Sequence, residues 1–282
     1  MRKFTPFSLN IKGHLHEFDR PQVMGIINIT PDSFYRGSRT VGQDAIARRI
    51  RQLLDEGADM IDIGAYSSRP GADDITAEEE ISRLWQGMTV LRDIAPDAIV
   101  SVDTFRADVA RIAIEEMGAD IINDISGGDL DCKMPDTVAG LNVPYILMHM
   151  RGTPATMDSL TDYNDVTAGV MQELSDKLNR LSLSGVNDVI IDPGFGFSKT
   201  LQQNYKLLHD LEVLHRFNRP ILIGISRKSM IFRALDSTPD DALNGTTVIN
   251  TIALLAGASI LRVHDVRQAV EAVKLTNLTI NR

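Results

Sequence analysis

Val189-Ile-Ile-Asp-Pro-Gly-Phe-Gly-Phe-Ser-Lys199 begins as a short apolar run and ends in a carboxylate, Asp192, with a turn of Pro193, Gly194 and Gly196 behind it. A run of this length bounded by Pro and Gly predicts a buried strand. A strand that only filled a core would leave through an ordinary polar turn, so this ending predicts chemical groups delivered to an open end. Outward from this stretch the same unit recurs: a run rich in Val, Ile and Met, a polar or glycine-rich turn, then an amphipathic segment. The runs are 23–30, 60–65, 99–104, 121–126, 145–150, 189–194, 221–226 and 260–265. The segments between them carry apolar residues at three- and four-residue spacing, as in Ala45, Ile46, Ile50, Leu53 and Leu54, which predicts helices. Gly57-Ala58, Gly118-Ala119 and Gly257-Ala258 stand where a helix would stop.

Near-continuous apolar strands alternating with helices are the pattern of a parallel sheet covered on both faces. Eight such units in 282 residues predict an α/β fold, a single (β/α)8 TIM barrel. A doubly wound open sheet is the alternative. Residues 1–20, with a turn at 10–13, read as an N-terminal β-hairpin over one end of the core. The barrel then occupies 21–282, and the whole chain 1–282 forms one domain.

Composition narrows the partners. A net charge of −9 and a pI near 5.1 argue against nucleic acid or an anionic membrane, both of which reward a basic face. An anionic substrate would need local positive groups. The only cysteine, Cys132, excludes a disulfide framework or a multi-cysteine metal site. The first residues lack the apolar core of a signal peptide, and the longest apolar stretch, 252–261, is too short to span a bilayer. A cytoplasmic location is the expectation.

In a (β/α)8 barrel the chemistry lies at the carboxyl ends of the strands. All eight ends are polar here: Asn28, Thr30 and Asp32; Ser67, Ser68 and Arg69; Asp103 and Thr104; Asn123 and Asp124; His149 beside Met148; Asp192; Ser226, Arg227, Lys228 and Ser229; Arg262, His264 and Asp265. One Asp at a strand end is more often a turn former or helix cap than a catalyst, but eight polar ends together are not explained that way. Arg262 and His264 share a strand face and suit a phosphate or diphosphate, unless Arg262 pairs with a barrel carboxylate instead. Asp103 and Asp192, with Asn123, suit a flat heterocycle that offers adjacent N–H donors, and Met148 could supply its apolar face. His14, His16 and His209 lie away from the strand ends and read as surface residues.

These residues carry a family resemblance. Asn28-Ile-Thr-Pro-Asp-Ser-Phe34, Ser67-Ser-Arg-Pro-Gly71, Ser101-Val-Asp-Thr104, Ile122-Asn-Asp124, Met148-His-Met150, Asp192-Pro-Gly-Phe-Gly-Phe197, Ser226-Arg-Lys-Ser229 and Arg262-Val-His-Asp265 together resemble the dihydropteroate synthases. That family condenses 6-hydroxymethyl-7,8-dihydropterin diphosphate with 4-aminobenzoate, releasing diphosphate in folate synthesis. The resemblance implies that Asp103, Asn123, Met148, Asp192 and Lys228 hold the pterin, and that Asn28, Arg69, Arg262 and His264 hold the diphosphate. It implies Phe34, Ser68, Pro70, Phe197 and Ser229 around 4-aminobenzoate, a magnesium ion near Asn28, and a homodimer. Asp103, Asn123, Asp192, Lys228, Arg262 and His264 are the implied catalytic set, and Lys199 has no assigned role.

The chain departs from the family in two loops. Arg36 stands where an Asp is usual, with Tyr35 before it and Ser38 at a common Gly. Ala65-Tyr-Ser-Ser-Arg-Pro70 replaces the usual Gly-Glu-Ser-Thr-Arg-Pro. Two other readings remain: a methyltransferase that binds methyltetrahydrofolate, which needs no aminobenzoate pocket, and a pterin-binding homologue without catalysis, which needs no diphosphate site.

Overall fold

A computed structural model describes residues 1–29, 39–66 and 74–280. The chain opens with an antiparallel hairpin, β1 (Phe7–Ile11) and β2 (His14–Phe18). Its two-residue turn places Lys12 at φ 52° and Gly13 at φ 81°, the twist that suits a tight hairpin. Eight parallel strands follow: β3 (Gln22–Asn28), β4 (Met60–Gly64), β5 (Ile99–Asp103), β6 (Ile121–Asp124), β7 (Tyr145–Met148), β8 (Val189–Asp192), β9 (Leu222–Ile223) and β10 (Ile260–Val263). Their order is β8-β7-β6-β5-β4-β3-β10-β9, and a parallel bridge between Ile191 and Ile221 brings the two edges together. The expected barrel and hairpin are both present.

Helices lie between the strands: α1 (Arg39–Asp55), α2 (Ala77–Ile94), α3 (Ala107–Glu115), α4 (Met134–Leu141), α5 (Val166–Ser184), α6 (Leu201–His209), the four-residue α7 (Ser229–Phe232), α8 (Leu243–Leu255) and α9 (Val266–Ile280). Gly57, Gly118 and Gly257, the expected stop signals, all have positive φ. The strands end one to three residues before their expected limits, because the polar end residues leave the ladder. β9 is shortest, since Lys228 N–H turns back to Ile225 O at 3.1 Å and Arg227 takes a left-handed φ of 56°.

Alternation along the strands sorts side chains into two cores. Outward residues such as Val23, Ile27, Ile61, Ile63, Val100 and Val102 pack against the helices. Inward residues at the strand starts form a second core of Met24, Met60, Ile121, Ile146, Ile190, Leu222 and Ile260. Leu9, Ile11 and Phe18 of the hairpin plug it from below. One level higher the same inward faces carry Asp62, Asp103, Asn123, Asp192 and Arg262. The interior thus changes from apolar to charged within two residues, and the site begins there.

Among the described residues no helix is long and apolar enough to cross a membrane. His14, His16 and His209 are exposed, as expected for surface residues.

Candidate active site

Strand register lines up the first wall. Asn28 lies opposite Gly64, Gly64 opposite Asp103, and Asp103 opposite Asn123. On the other side of the barrel Met148 lies opposite Asp192. Gly64 leaves room for Asp103, since a Cβ there would sit 3.3 Å from the Asp103 Cβ.

Arg262 enters this wall from β10. Its Nε donates to Asp62 Oδ2 at 2.6 Å and its Nη2 to Asp103 Oδ2 at 2.7 Å. The amide of Asn123 donates to both oxygens of Asp62, at 3.3 and 3.2 Å. The guanidinium therefore pairs with two barrel carboxylates, the alternative that the sequence had left open for Arg262. The buried Asp62 was missing from the sequence reading because it interrupts β4 in mid-strand instead of ending it. Its parity with the inward Met60 was the available signal, since a charge on an inward position needs partners.

Burial raises the Asp103 carboxyl to about 7, with Asp62 and Glu80 adding to the shift while Arg262 opposes it. Burial also raises Asp192, against the pull of Lys228 and of the Gly194 N–H, which donates to Asp192 Oδ1 at 2.7 Å. Two carboxylates with costly charges, facing the same interior, invite a ligand with N–H donors.

Lys228 lies across from Asp192. Its Nζ donates to Phe195 O at 2.5 Å and sits 4.4 Å from the centre of the Phe197 ring, while burial lowers it to about 8. Phe197 and Met148, assigned to different substrates by the resemblance, belong to one apolar cluster with Ile125, Met150 and Met157. The walls that the resemblance assigns to two different substrates are thus continuous. Ser229 is the first residue of α7, directly after Lys228.

His264 is held by Ser226, whose Oγ lies 3.1 Å from both the backbone N and Nδ1 of His264. The hydroxyl accepts from the backbone N–H and donates to Nδ1, which leaves the ring proton on Nε2. Burial first, then the Arg262 charge, lowers His264 to about 4, so at neutral pH it is a neutral donor and Arg262 supplies the cationic charge of this pair. Arg227 ties the neighbouring loops together, donating to both oxygens of Asp265 at 2.9 and 3.0 Å.

Tyr66, which stands where the family usually has Glu, packs edge-on against Phe105 at 5.0 Å, and the Arg106 guanidinium lies over both rings. The departure at 66 therefore has a packing role. Phe34, Ser68, Arg69, Pro70 and the departures at 35, 36 and 38 lie outside the described residues. Among the described residues no group of three or more His, Cys, Asp or Glu could hold a metal.

A barrel whose interior offers the carboxylates of Asp62, Asp103 and Asp192, an amide, an apolar wall and an Arg beside a His is built for a flat nitrogen heterocycle next to an anion. The sequence pattern of the family "Pterin binding enzyme" matches residues 24–264. The chain is 38% identical to the dihydropteroate synthase of Escherichia coli (strain K12), with 94% of each chain covered. It is 40% identical to the "Folate synthesis bifunctional protein" of Arabidopsis thaliana over 96% of this chain, but spans only 60% of that relative. Among solved structures, the Xanthomonas albilineans dihydropteroate synthase with 4-aminobenzoic acid superposes with a TM-score of 0.89 at 36% identity, with 98% of each chain covered. The chain belongs to the dihydropteroate synthases within the pterin-binding enzyme family.

Proposed function

We propose that the chain condenses 6-hydroxymethyl-7,8-dihydropterin diphosphate with 4-aminobenzoate to give 7,8-dihydropteroate and diphosphate. The observation that carries this reading is the Asp62–Arg262–Asp103 cluster beside Asn123 and Asp192. A guanidinium already satisfies Asp62 and Asp103, and the pterin edge offers the same kind of adjacent donors. Asp103, Asn123 and Asp192 would accept or donate along that edge, Lys228 would bond its carbonyl side, and Met148 would cover its face. Arg262 and His264 would hold the diphosphate with Asn28, and Phe197 and Ser229 would line the benzoate side. Arg69, Phe34, Ser68 and Pro70 complete these groups in our reading.

The arylamine is neutral near pH 7, so the chain needs no strong general base. The C–O bond from the pterin methylene to the diphosphate breaks first, and its electron pair leaves on the diphosphate oxygen. The electron-rich ring spreads the positive charge left on the methylene carbon. Arg262, as a preorganised donor at the departing oxygen, would lower the barrier by about 3–4 kcal/mol. The amine nitrogen then bonds to carbon and releases its proton to water. His264 Nε2–H supplies a second donor without adding a fixed charge.

Magnesium fits this donor set. Asn28 offers one hard oxygen, the carboxylates nearby are engaged by Arg262, and magnesium prefers phosphate oxygens and water with few protein ligands. When bound, it would neutralise charge on the diphosphate.

The test uses purified protein, magnesium, the pterin diphosphate and 4-aminobenzoate, with diphosphate release followed over time. Turnover is expected only with both substrates present. Tight pterin binding without release would point to the homologue lacking catalysis, and methyl transfer from methyltetrahydrofolate would point to the methyltransferase.

A homodimer and a cytoplasmic location belong to the same proposal. Val248 and Ile252, one turn apart on α8, are 50% and 43% exposed, and Leu275 and Leu278 stand exposed on the adjacent α9. Exposed apolar side chains on two adjoining helices suit a second copy. Val248→Lys with Ile252→Lys is expected to turn a dimer into a monomer in sedimentation without unfolding it; a wild-type monomer would refute this interface.

A further inference from the structure

Lys199 is buried, and its ammonium is a hub for the turn after β8. Nζ lies 3.0 Å from His149 Nδ1, 2.9 Å from Gly194 O and 3.0 Å from Phe197 O. Burial lowers Lys199 to about 7; in its ammonium form it has three donors and no acceptor, and these three acceptors satisfy it completely. The first acceptor fixes the imidazole tautomer: Nδ1 accepts, Nε2 carries the proton, and Nε2 faces Glu173 Oε2 at 3.0 Å. Glu173 is in turn held by Arg151, whose Nε donates to Oε1 at 2.9 Å. Burial lowers His149 to about 4, which keeps the ring neutral and able to accept.

The turn itself is stretched around this hub. Gly194 has φ 67°, and a Cβ there would lie 1.9 Å from His149 O, so no other residue fits. Ser198, at φ 49°, accepts from Arg151 N–H at 2.8 Å and donates to Arg151 O at 3.0 Å. Gly196 N–H donates to Asn204 Oδ1 at 2.7 Å. These bonds tie the flanks of the turn, whereas only Lys199 binds the carbonyl of Phe197 together with that of Gly194 among the side-chain donors described. The Phe197 ring lies under Lys228 Nζ, 4.4 Å from the ring centre, within the apolar cluster that includes Met148. Asp192 precedes the turn and keeps its backbone place through the strand ladder with β7, while its carboxylate also accepts from Gly194 N–H within the turn.

We propose that Lys199 is a positioning residue for the arylamine substrate: through the carbonyls of Gly194 and Phe197 it sets the Phe197 ring, and the Glu173–His149 pair holds its ammonium in place. This proposal rests on the synthase reading above. It assigns the Lys199 branch chiefly to the 4-aminobenzoate side of the site; the pterin side keeps the strand as its main support, with one bond from Gly194 N–H to Asp192.

Lys199→Met keeps the apolar stem and removes all three donors. Phe197→Ala sets the scale by removing the ring itself. With both substrates titrated separately, Lys199→Met is expected to raise KM for 4-aminobenzoate about tenfold, equivalent to about 1.4 kcal/mol. KM for the pterin diphosphate should move less than about threefold, and kcat at saturation less than KM, by the same scale. An unchanged aminobenzoate KM, or equal rises for both substrates, would overturn the proposal. If Lys199→Met does not fold, Glu173→Gln, at the solvent end of the relay, is assayed instead; a rise of about threefold confined to 4-aminobenzoate supports the proposal and none refutes it. Wild-type turnover without this split sinks only the role of Lys199. A wild-type protein that releases no diphosphate sinks the synthase reading and this one with it.

Discussion

Asp192→Asn is expected to weaken pterin binding about a hundredfold, the loss of about 3 kcal/mol from a buried charged acceptor. The substitution keeps the shape of the side chain, and its Oδ1 can still accept from Gly194 N–H, so the turn should survive. What disappears is the negative charge facing Lys228 and the pterin edge. Lys228, already lowered to about 8 by burial, loses the Asp192 charge that was holding its proton. Its affinity for a proton must therefore fall further in the variant, and residual pterin binding should fade at lower pH than in the wild type. Calorimetric titration with pterin at several pH values tests both expectations. Binding within about threefold of wild type at neutral pH would remove Asp192 from the pterin subsite.

Arg262→Met is expected to reduce both activity and stability. On the activity side, kcat/KM should fall about 10²–10³-fold, the cost of one preorganised donor at a developing oxyanion. On the stability side, Asp62 and Asp103 lose their common partner inside the barrel. Removing one member of a buried ion cluster costs about 3–5 kcal/mol, because the remaining charges stay buried. The sign of the pH dependence follows from Asp103, which sits at about 7 against 3.8 for an ordinary carboxyl, and which rises further without Arg262. The folded state then holds a proton that the unfolded state gives up, so stability falls as pH rises from about 4 through 7. Relative to wild type, the deficit should be larger at pH 8 than at pH 5. Denaturant unfolding at both values checks this, and an equal deficit at both would show that Asp103 is not left exposed to its neighbours' charge. Pterin binding to the wild type should follow the opposite course, weakening as pH drops below about 7, where Asp103 takes up a proton and loses an acceptor.

Much of the site was legible along the chain because a parallel barrel places strand ends together regardless of loop detail. Asp103, Asn123 and Asp192 needed only their positions at the ends of apolar runs; the structure pairs Asp103 with Asn123 and places Asp192 opposite Met148 in the same barrel interior. Asp62 escaped this logic because it lies two residues short of its strand end, where only the inward parity of Met60, Asp62 and Gly64 marks it. His264 was legible as a donor but not as a neutral one, since its burial and its distance from Arg262 are tertiary facts. Lys199 had no visible role because its three acceptors come from backbone carbonyls and a side chain fifty residues away.

The sequence by itself determined the eight βα units, the hairpin, and the types of group presented at one end of the barrel. Periodicity and turn chemistry are local, and each unit could be read without its neighbours. Only the tertiary structure decided that Arg262 spans Asp62 and Asp103, two residues 200 and 159 positions away. Closure of the sheet brings β10 next to β3 and within side-chain reach of β4 and β5, and a charge removed from water takes the partners that this closure supplies.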